Sequence, residues 1–259
     1  MSNNPFFTVD KISKSFGGLQ ALKELSFHVN KGEIYSVIGP NGAGKSTLFN
    51  CINGIYKPDT GSVKIQGQEI TGLRPDQVAA HKISRTFQNI ELFSNMTTMD
   101  NILLGRHMHM KTGVFSASAM LWKNSFSAKD ETEHRRKVDE IIDFLDLQAS
   151  RNKLVSQLPY GIQKIAELGR ALATEPELLL LDEPAAGLTN EEREDLIFWI
   201  RDIRDELGIT IILIEHNIQM VSEISDRIIA INFGKKLVEG TVQEVTNNPD
   251  VVRAYLGAD

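Results

Sequence analysis

Lys45, Ser46 and Thr47 close the run Gly39-Pro40-Asn41-Gly42-Ala43-Gly44, so the pattern G-x-x-x-x-G-K-[ST] is filled at every fixed position. Small residues let a backbone wrap a polyphosphate and turn its N–H groups toward it, Lys45 can reach the β and γ phosphates, and the Ser46 hydroxyl suits Mg²⁺. Far along the chain, Leu178-Leu179-Leu180-Leu181-Asp182-Glu183-Pro184 is an apolar run ending in two carboxylates. Beside a phosphate-binding loop, Asp182 is the residue to hold the Mg²⁺ of the nucleotide, directly or through water. Glu183 is then the residue to polarise the water that attacks the γ phosphate. A strand end with two solvated acids is the alternative reading of the same residues.

Such groups need rigid elements behind them. The apolar run 34–38 reads as a strand entering the loop, and 46–52 as a helix leaving it, with the N-terminal dipole facing the phosphate and Gly54 as its C-cap. Further short strands are predicted at 6–9, 25–29 and 63–65, separated by glycine-bearing turns. From residue 99 to about 147 strand signals vanish; Val138, Ile141, Ile142 and Leu145 recur at three and four, the mark of an amphipathic helix. Within this helical insert, 111–127 has no clear register and is assigned as irregular or broken helix. Beyond 157 the pattern alternates: helix 163–173, strand 178–181, helix 190–207, strand 210–214, helix 218–224, strand 228–231. The buried acidic strand and this alternation imply a mostly parallel sheet covered by helices, in an α/β domain.

Composition narrows the class. A chain of 259 residues accommodates one large domain with an inserted subdomain more readily than two full domains. Lys plus Arg number 28 against 34 Asp plus Glu, a net charge of −6, which argues against a nucleic-acid partner while leaving room for a local basic patch. Cys51 is the single cysteine and falls inside the helix after the loop, so it is expected to be a buried thiol in a reducing compartment. No secretory pattern opens the sequence and no apolar run approaches a membrane span. A cytoplasmic chain is expected, unless something holds it to a membrane. His107 and His109 lie two apart, on different sides of a helix and without a nearby acidic or cysteine partner, so packing or solvated roles are favoured over a metal site. The run 129–137 places acids before bases and suits the exposed face of a helix.

With further pieces in order, the chain resembles the nucleotide-binding subunits of ATP-binding cassette (ABC) transporters over nearly its whole length. Gln88, in Arg85-Thr86-Phe87-Gln88-Asn89, matches the family glutamine that touches Mg²⁺ and couples the site to a helical subdomain. His216, in Ile214-Glu215-His216-Asn217, matches the switch histidine that contacts the γ phosphate. Phe16, in Lys14-Ser15-Phe16-Gly17-Gly18, matches the aromatic residue on which adenine stacks; a core phenylalanine is the alternative. The resemblance implies a P-loop (RecA-like) ATPase core with an antiparallel β subdomain and an inserted α-helical subdomain. The expected partition is core at 6–88 and 164–240, helical subdomain at 89–163, and tail at 241–259. It also implies ATP and Mg²⁺ as ligands, the metal held by Ser46, Gln88 and Asp182. Catalysis then belongs to Glu183, His216 and Lys45.

The family signature Leu-Ser-Gly-Gly-Gln departs here to Leu158-Pro159-Tyr160-Gly161-Ile162, followed by Gln163. Gly161 still lets backbone approach phosphate, so Tyr160, Gly161 and Gln163 are carried over as the half-site offered to the nucleotide of a second ATPase subunit, identical or paralogous. Pro159 removes the serine hydroxyl of that half-site. Thr189 stands where many relatives carry Asp. The Pro-Tyr-Gly signature, the Arg-Thr-Phe-Gln run, the long insert and the ending Asn248-Pro249-Asp250-Val251-Val252-Arg253-Ala254-Tyr255-Leu256-Gly257 resemble the ATPases of branched-chain amino acid importers. Relatives for urea, amides or lipopolysaccharide are the alternatives within transport; DNA-repair heads and ribosomal factors are the alternatives outside it. The implied partners are membrane permease subunits, docking between Asn89 and Thr98 where Leu92, Phe93 and Met96 offer apolar surface, and, through them, a solute-binding protein. That places the chain peripherally on the inner face of the cell membrane.

Overall fold

The computed structural model describes residues 5–110 and 126–256, with the side chains of all but 126–130 and 256. Contacts divide the chain into two units: Met1–Gln88 with Glu177–Gly187 and Arg193–Asp259, and Asn89–Pro176 with Leu188–Glu192.

In the first unit, β3 (Ile34–Ile38) lies between β8 (Thr210–Ile214) and β9 (Arg227–Asn232), and β7 (Leu178–Asp182) between β8 and β6 (Ile83–Arg85), all parallel; β10 (Lys235–Gly240) closes the sheet antiparallel to β9. Every residue of β3, β7 and β8 is buried, which is why β7 and β8 read as near-continuous Leu and Ile runs rather than as alternation, and β3 buries even Tyr35 and Ser36. Asp182 pairs with Ile214, and Ile214 with Val37, so three strands end level. Gly39, Glu183 and Glu215 with His216 therefore leave the sheet at its carboxyl edge, where open α/β sheets bind ligands.

The second sheet of this unit is antiparallel, in the order β2 (Leu19–Val29), β1 (Phe7–Phe16), β4 (Thr60–Ile65) and β5 (Gln68–Glu69). Its strands outrun the segments predicted at 6–9, 25–29 and 63–65. Register shifts break the period of two, and Lys11 and Glu24 take φ of 47° and 48° beside them. Phe27 stacks on Tyr35 with ring centroids 5.3 Å apart, joining the two sheets in one core.

Helix α1 (Lys45–Ile52) buries Leu48, Phe49, Cys51 and Ile52 in that core. It ends at Gly54, whose φ of 76° and close approach to the Leu73 carbonyl, 2.2 Å from where a Cβ would sit, leave room only for glycine. The short α2 (Pro75–Ala80) and β6 carry too few residues for a periodic signal. Strand β10 was hidden by the charges of an edge strand, Lys235, Lys236 and Glu239. Helices α7 (Ile218–Ile224), α8 (Val242–Thr246) and α9 (Pro249–Leu256) put Val221, Val245 and Val251 into one apolar cluster with Ile38, the residue before the phosphate loop.

The second unit is helical: α3 (Thr98–Gly105), α4 (Phe126–Phe144) and α5 (Tyr160–Leu172). Thr97 caps α3 by accepting the Asp100 N–H. Val138, Ile142 and Leu145 are buried and Ile141 half-buried, as their spacing predicts. Of the segment 111–127, only 126 and 127 fall within the described residues, as the start of α4. The charged run pairs Arg135 with Glu131, and Arg136 with Glu140, along the exposed face of α4. Helix α5 begins at Tyr160, three residues before its predicted start, and belongs whole to this unit, beyond the boundary expected near 163. Helix α6 spans Asn190–Asp205, two residues short of its predicted end.

Candidate functional site

The phosphate-binding loop closes on its own lysine. Lys45 Nζ donates to the carbonyls of Gly39 at 2.7 Å and Pro40 at 3.0 Å. Its burial pulls the ammonium below the ordinary lysine value, while the carboxylates of Glu183 and Asp182 work in the opposite direction. Gly39, with φ of 155°, passes the sheet so closely that a Cβ would lie 2.2 Å from the Ile231 carbonyl, and one on Gly44 would lie 2.5 Å from that of Ala21. Backbone thus lines the loop where side chains have no room.

Asn41, Gly42, Ala43, Gly44, Lys45, Ser46 and Thr47 form one wall of a cleft of about 360 Å³ that also contains Phe16 and Glu183. Phe16 is 42% exposed, which removes the core alternative. Its ring is steadied edge-on by Tyr56 at 5.1 Å, and Lys14 Nζ lies 5.5 Å from its centroid. Five lining residues escaped the sequence reading, Leu19, Gln20, Ala21, Lys23 and Phe233, of which Leu19 at 70% and Phe233 at 74% are the exposed apolar ones. Phe233 sits in the β9–β10 turn with φ of 46°, an uncommon conformation for a bulky residue. The signal for it was a large aromatic residue just before Gly234, outside the apolar run.

Glu183 also holds a left-handed backbone, φ 48°, with its N–H bonded to the Ile214 carbonyl at 2.9 Å. Its carboxylate is bridged, Oε1 lying 2.5 Å from His216 Nε2 and Oε2 accepting from Gln88 Nε2 at 2.9 Å. Three residues selected from distant parts of the sequence therefore meet at one carboxylate. Glu215, buried, accepts from the N–H groups of Ala185 at 2.9 Å and His216 at 3.0 Å, tying the turns after β7 and β8 together. Asp182, 5% exposed, has its Oδ2 2.7 Å from Arg85 Nη2. Neither Glu215 nor Arg85 was singled out from sequence. Ser46, Gln88 and Asp182 can each offer oxygen, the donor that hard Mg²⁺ takes.

Tyr160, Gly161 and Gln163 belong to the second unit, at the first turn of α5. Pro159 is the N-cap and supplies no side-chain bond. Instead, Glu192 lies against Gly161, its Oε1 2.4 Å from where a Cβ would be. The Thr189 N–H and hydroxyl, and then the Gly161 N–H, hold the Glu192 carboxyl below its usual value. Glu192 returns its own N–H to Thr189 Oγ1 at 3.2 Å, so Thr189 acts as a helix cap. Around Phe93, 57% exposed, the chain is pinned by buried Asn101, which accepts the Phe93 N–H at 2.8 Å and donates to its carbonyl at 3.1 Å. His109 Nε2 is 2.9 Å from the Thr174 carbonyl, and among the described residues no group of three His, Cys, Asp or Glu is placed to hold a metal. Nor is any described helix long and apolar enough to cross a membrane.

Comparison with known proteins places the chain in a family. The family model described as ABC transporter matches residues 22–186, and the one described as branched-chain amino acid ATP-binding cassette transporter matches residues 235–259. The chain is 41% identical over 255 residues to the high-affinity branched-chain amino acid transport ATP-binding protein LivG of Salmonella typhimurium, covering 98% of this chain and 99% of the relative. A crystal structure of an ATP-binding cassette of an ABC transporter in its ADP conformation superposes with a TM-score of 0.85 at 32% identity, covering 98% of this chain and 99% of the other. A dimeric cassette in a post-hydrolysis state with ADP and Pi superposes at 0.74 with 26% identity, covering 91% and 98%. With a P-loop, an acidic strand end and a carboxylate held between glutamine and histidine, and with a family match over more than half its length, the chain belongs to the ABC transporter family of ATP-binding cassettes.

Proposed function

We propose that this chain hydrolyses ATP to drive import of branched-chain or other hydrophobic amino acids. The observation that carries the catalytic half is the Glu183 carboxylate, set between Gln88 and His216 beside a phosphate-binding loop. In this reading residues 39–47 cradle the phosphates, Lys45 turns its ammonium from its own loop to the β and γ phosphates, and Phe16 stacks on adenine. Ser46, Gln88 and Asp182 hold Mg²⁺, which when bound neutralises charge on the phosphates. Glu183 orients and takes a proton from the attacking water, and His216 keeps the carboxylate aimed and meets the γ phosphate.

The same reading makes the cassette one half of a pair. Tyr160, Gly161 and Gln163 complete the nucleotide site of a second ATPase subunit, and the dimeric relative bound to ADP and Pi supports this arrangement. Closure on ATP and opening after hydrolysis move the membrane permease subunits, which dock near Leu92, Phe93 and Met96 and receive solute from a binding protein. The cassette then sits on the inner face of the membrane through its permeases. The C-terminal match at 235–259 and the likeness to LivG support amino acids as the solute. The complex co-purified from native membranes and reconstituted in vesicles tests it: leucine, isoleucine or valine with the binding protein stimulates ATP hydrolysis. Stimulation by urea or amides alone contradicts the assignment.

A further inference from the structure

Arg85 belongs to no part of the machinery described so far, yet it is buried at its centre. Its side chain and that of Asp182 are each 6% exposed, and their Nη2–Oδ2 separation is 2.7 Å. The other arm, Nη1, donates to Asn50 Oδ1 at 2.7 Å, on the helix that begins with Lys45 and Ser46. The guanidinium carbon lies 5.6 Å from the Phe49 centroid and 5.0 Å from that of Phe87. Arg85 ends β6, three positions before Gln88. One rigid fork therefore links the helix bearing Ser46, the strand end bearing Asp182 and the segment bearing Gln88.

We propose that Arg85 is a positioning residue for the divalent-cation site, fixing Asp182 through Oδ2 so that Oδ1 is presented to the metal. This deepens the reading of Ser46, Gln88 and Asp182 as Mg²⁺ donors and rests on it. The Asp182 carboxylate also feels the Lys45 ammonium, but its 2.7 Å hydrogen-bonded ion pair is with Arg85, and that contact orients it. A planar fork grips both Asp182 and Asn50, whereas a lysine ammonium supplies one point contact. Partners behind a metal ligand commonly govern affinity by holding that ligand in place.

The test is calorimetric titration of the purified full chain with ADP, in Mg²⁺ and in excess EDTA. Its readout is the factor by which the metal tightens nucleotide binding. Arg85→Met cuts that factor about tenfold and leaves metal-free ADP binding unchanged. Electron paramagnetic resonance of Mn²⁺ with ADP shows the same loss. Because Arg85→Met strands a buried carboxylate, Asn50→Ala is the companion: it keeps the ion pair, folds, and loses part of the factor in the same direction. An undiminished factor in a folded Arg85→Met overturns the proposal, and if that variant does not fold, an undiminished factor in Asn50→Ala does so. Asp182→Asn separates the two levels. If it loses the factor while Arg85→Met keeps it, the site reading stands and the role of Arg85 falls; if it keeps the factor, the site reading falls and the role of Arg85 with it.

Discussion

Glu183 sits at a φ of 48°, a backbone conformation costing a non-glycine residue on the order of 1–3 kcal/mol, and it is the residue whose carboxylate Gln88 and His216 bridge. His216→Ala frees one carboxylate oxygen; steady-state assays are expected to show turnover down by about a hundredfold, with ATP binding retained. Phe16→Ala, at an exposed stacking face, is expected to weaken ATP binding by about tenfold, within the roughly 1–3 kcal/mol of a base–aromatic contact, as read by titration of a fluorescent ATP analogue. Cys51 is 1% exposed, and burial pushes its thiol from 9.0 to about 11. The raised value means that the unfolded chain loses this proton first. The thiol's contribution to stability is whole below pH 9 and is lost as pH rises from 9 through 11. Native protein at pH 8 is therefore expected to resist a thiol reagent that labels the unfolded chain at once. Lys45 and Glu183 were singled out from local patterns, and Gln88 and His216 only through the resemblance to a family. Arg85 and Glu215 were not, since their partners stand 97 and 30 positions away and nothing in the local sequence marks the pairing.

The elements explain why some boundaries read cleanly. Strands β3 and β8 and helix α7 have the predicted limits because solid apolar runs or a clear cap bound them, as Asn217 does by accepting the Met220 N–H. Strands β1 and β2 ran past expectation because their bulged, half-polar stretches lose alternation. The start of α5 was missed because a Pro-Tyr-Gly sequence resembles a turn, yet Pro159 is the cap and its carbonyl accepts the Gln163 N–H at 3.0 Å. Packing of α3 on α5 depends on one close approach. A Cβ on Gly105 would lie 2.3 Å from the Arg170 carbonyl and 2.8 Å from Ala173 Cβ. Gly105→Ala is therefore expected to destabilise the protein by about 1–3 kcal/mol, visible as a lower denaturation midpoint.

At the scale of the whole molecule, the account requires partners. Charge substitutions at Leu92 and Phe93 leave the buried Asn101 clamp intact and are expected to abolish co-purification with membrane subunits while ATP binding persists; undiminished co-purification removes this docking surface. The central claim is that Glu183 activates water in a nucleotide site shared by two chains. Size-exclusion chromatography with light scattering, run on Glu183→Gln with Mg²⁺ and ATP beside a phosphate-release assay, tests it most directly. The account predicts a stable ATP-bound dimer and hydrolysis lowered by at least about a hundredfold. Hydrolysis at the unsubstituted rate, or an ATP-bound variant that stays monomeric, contradicts it.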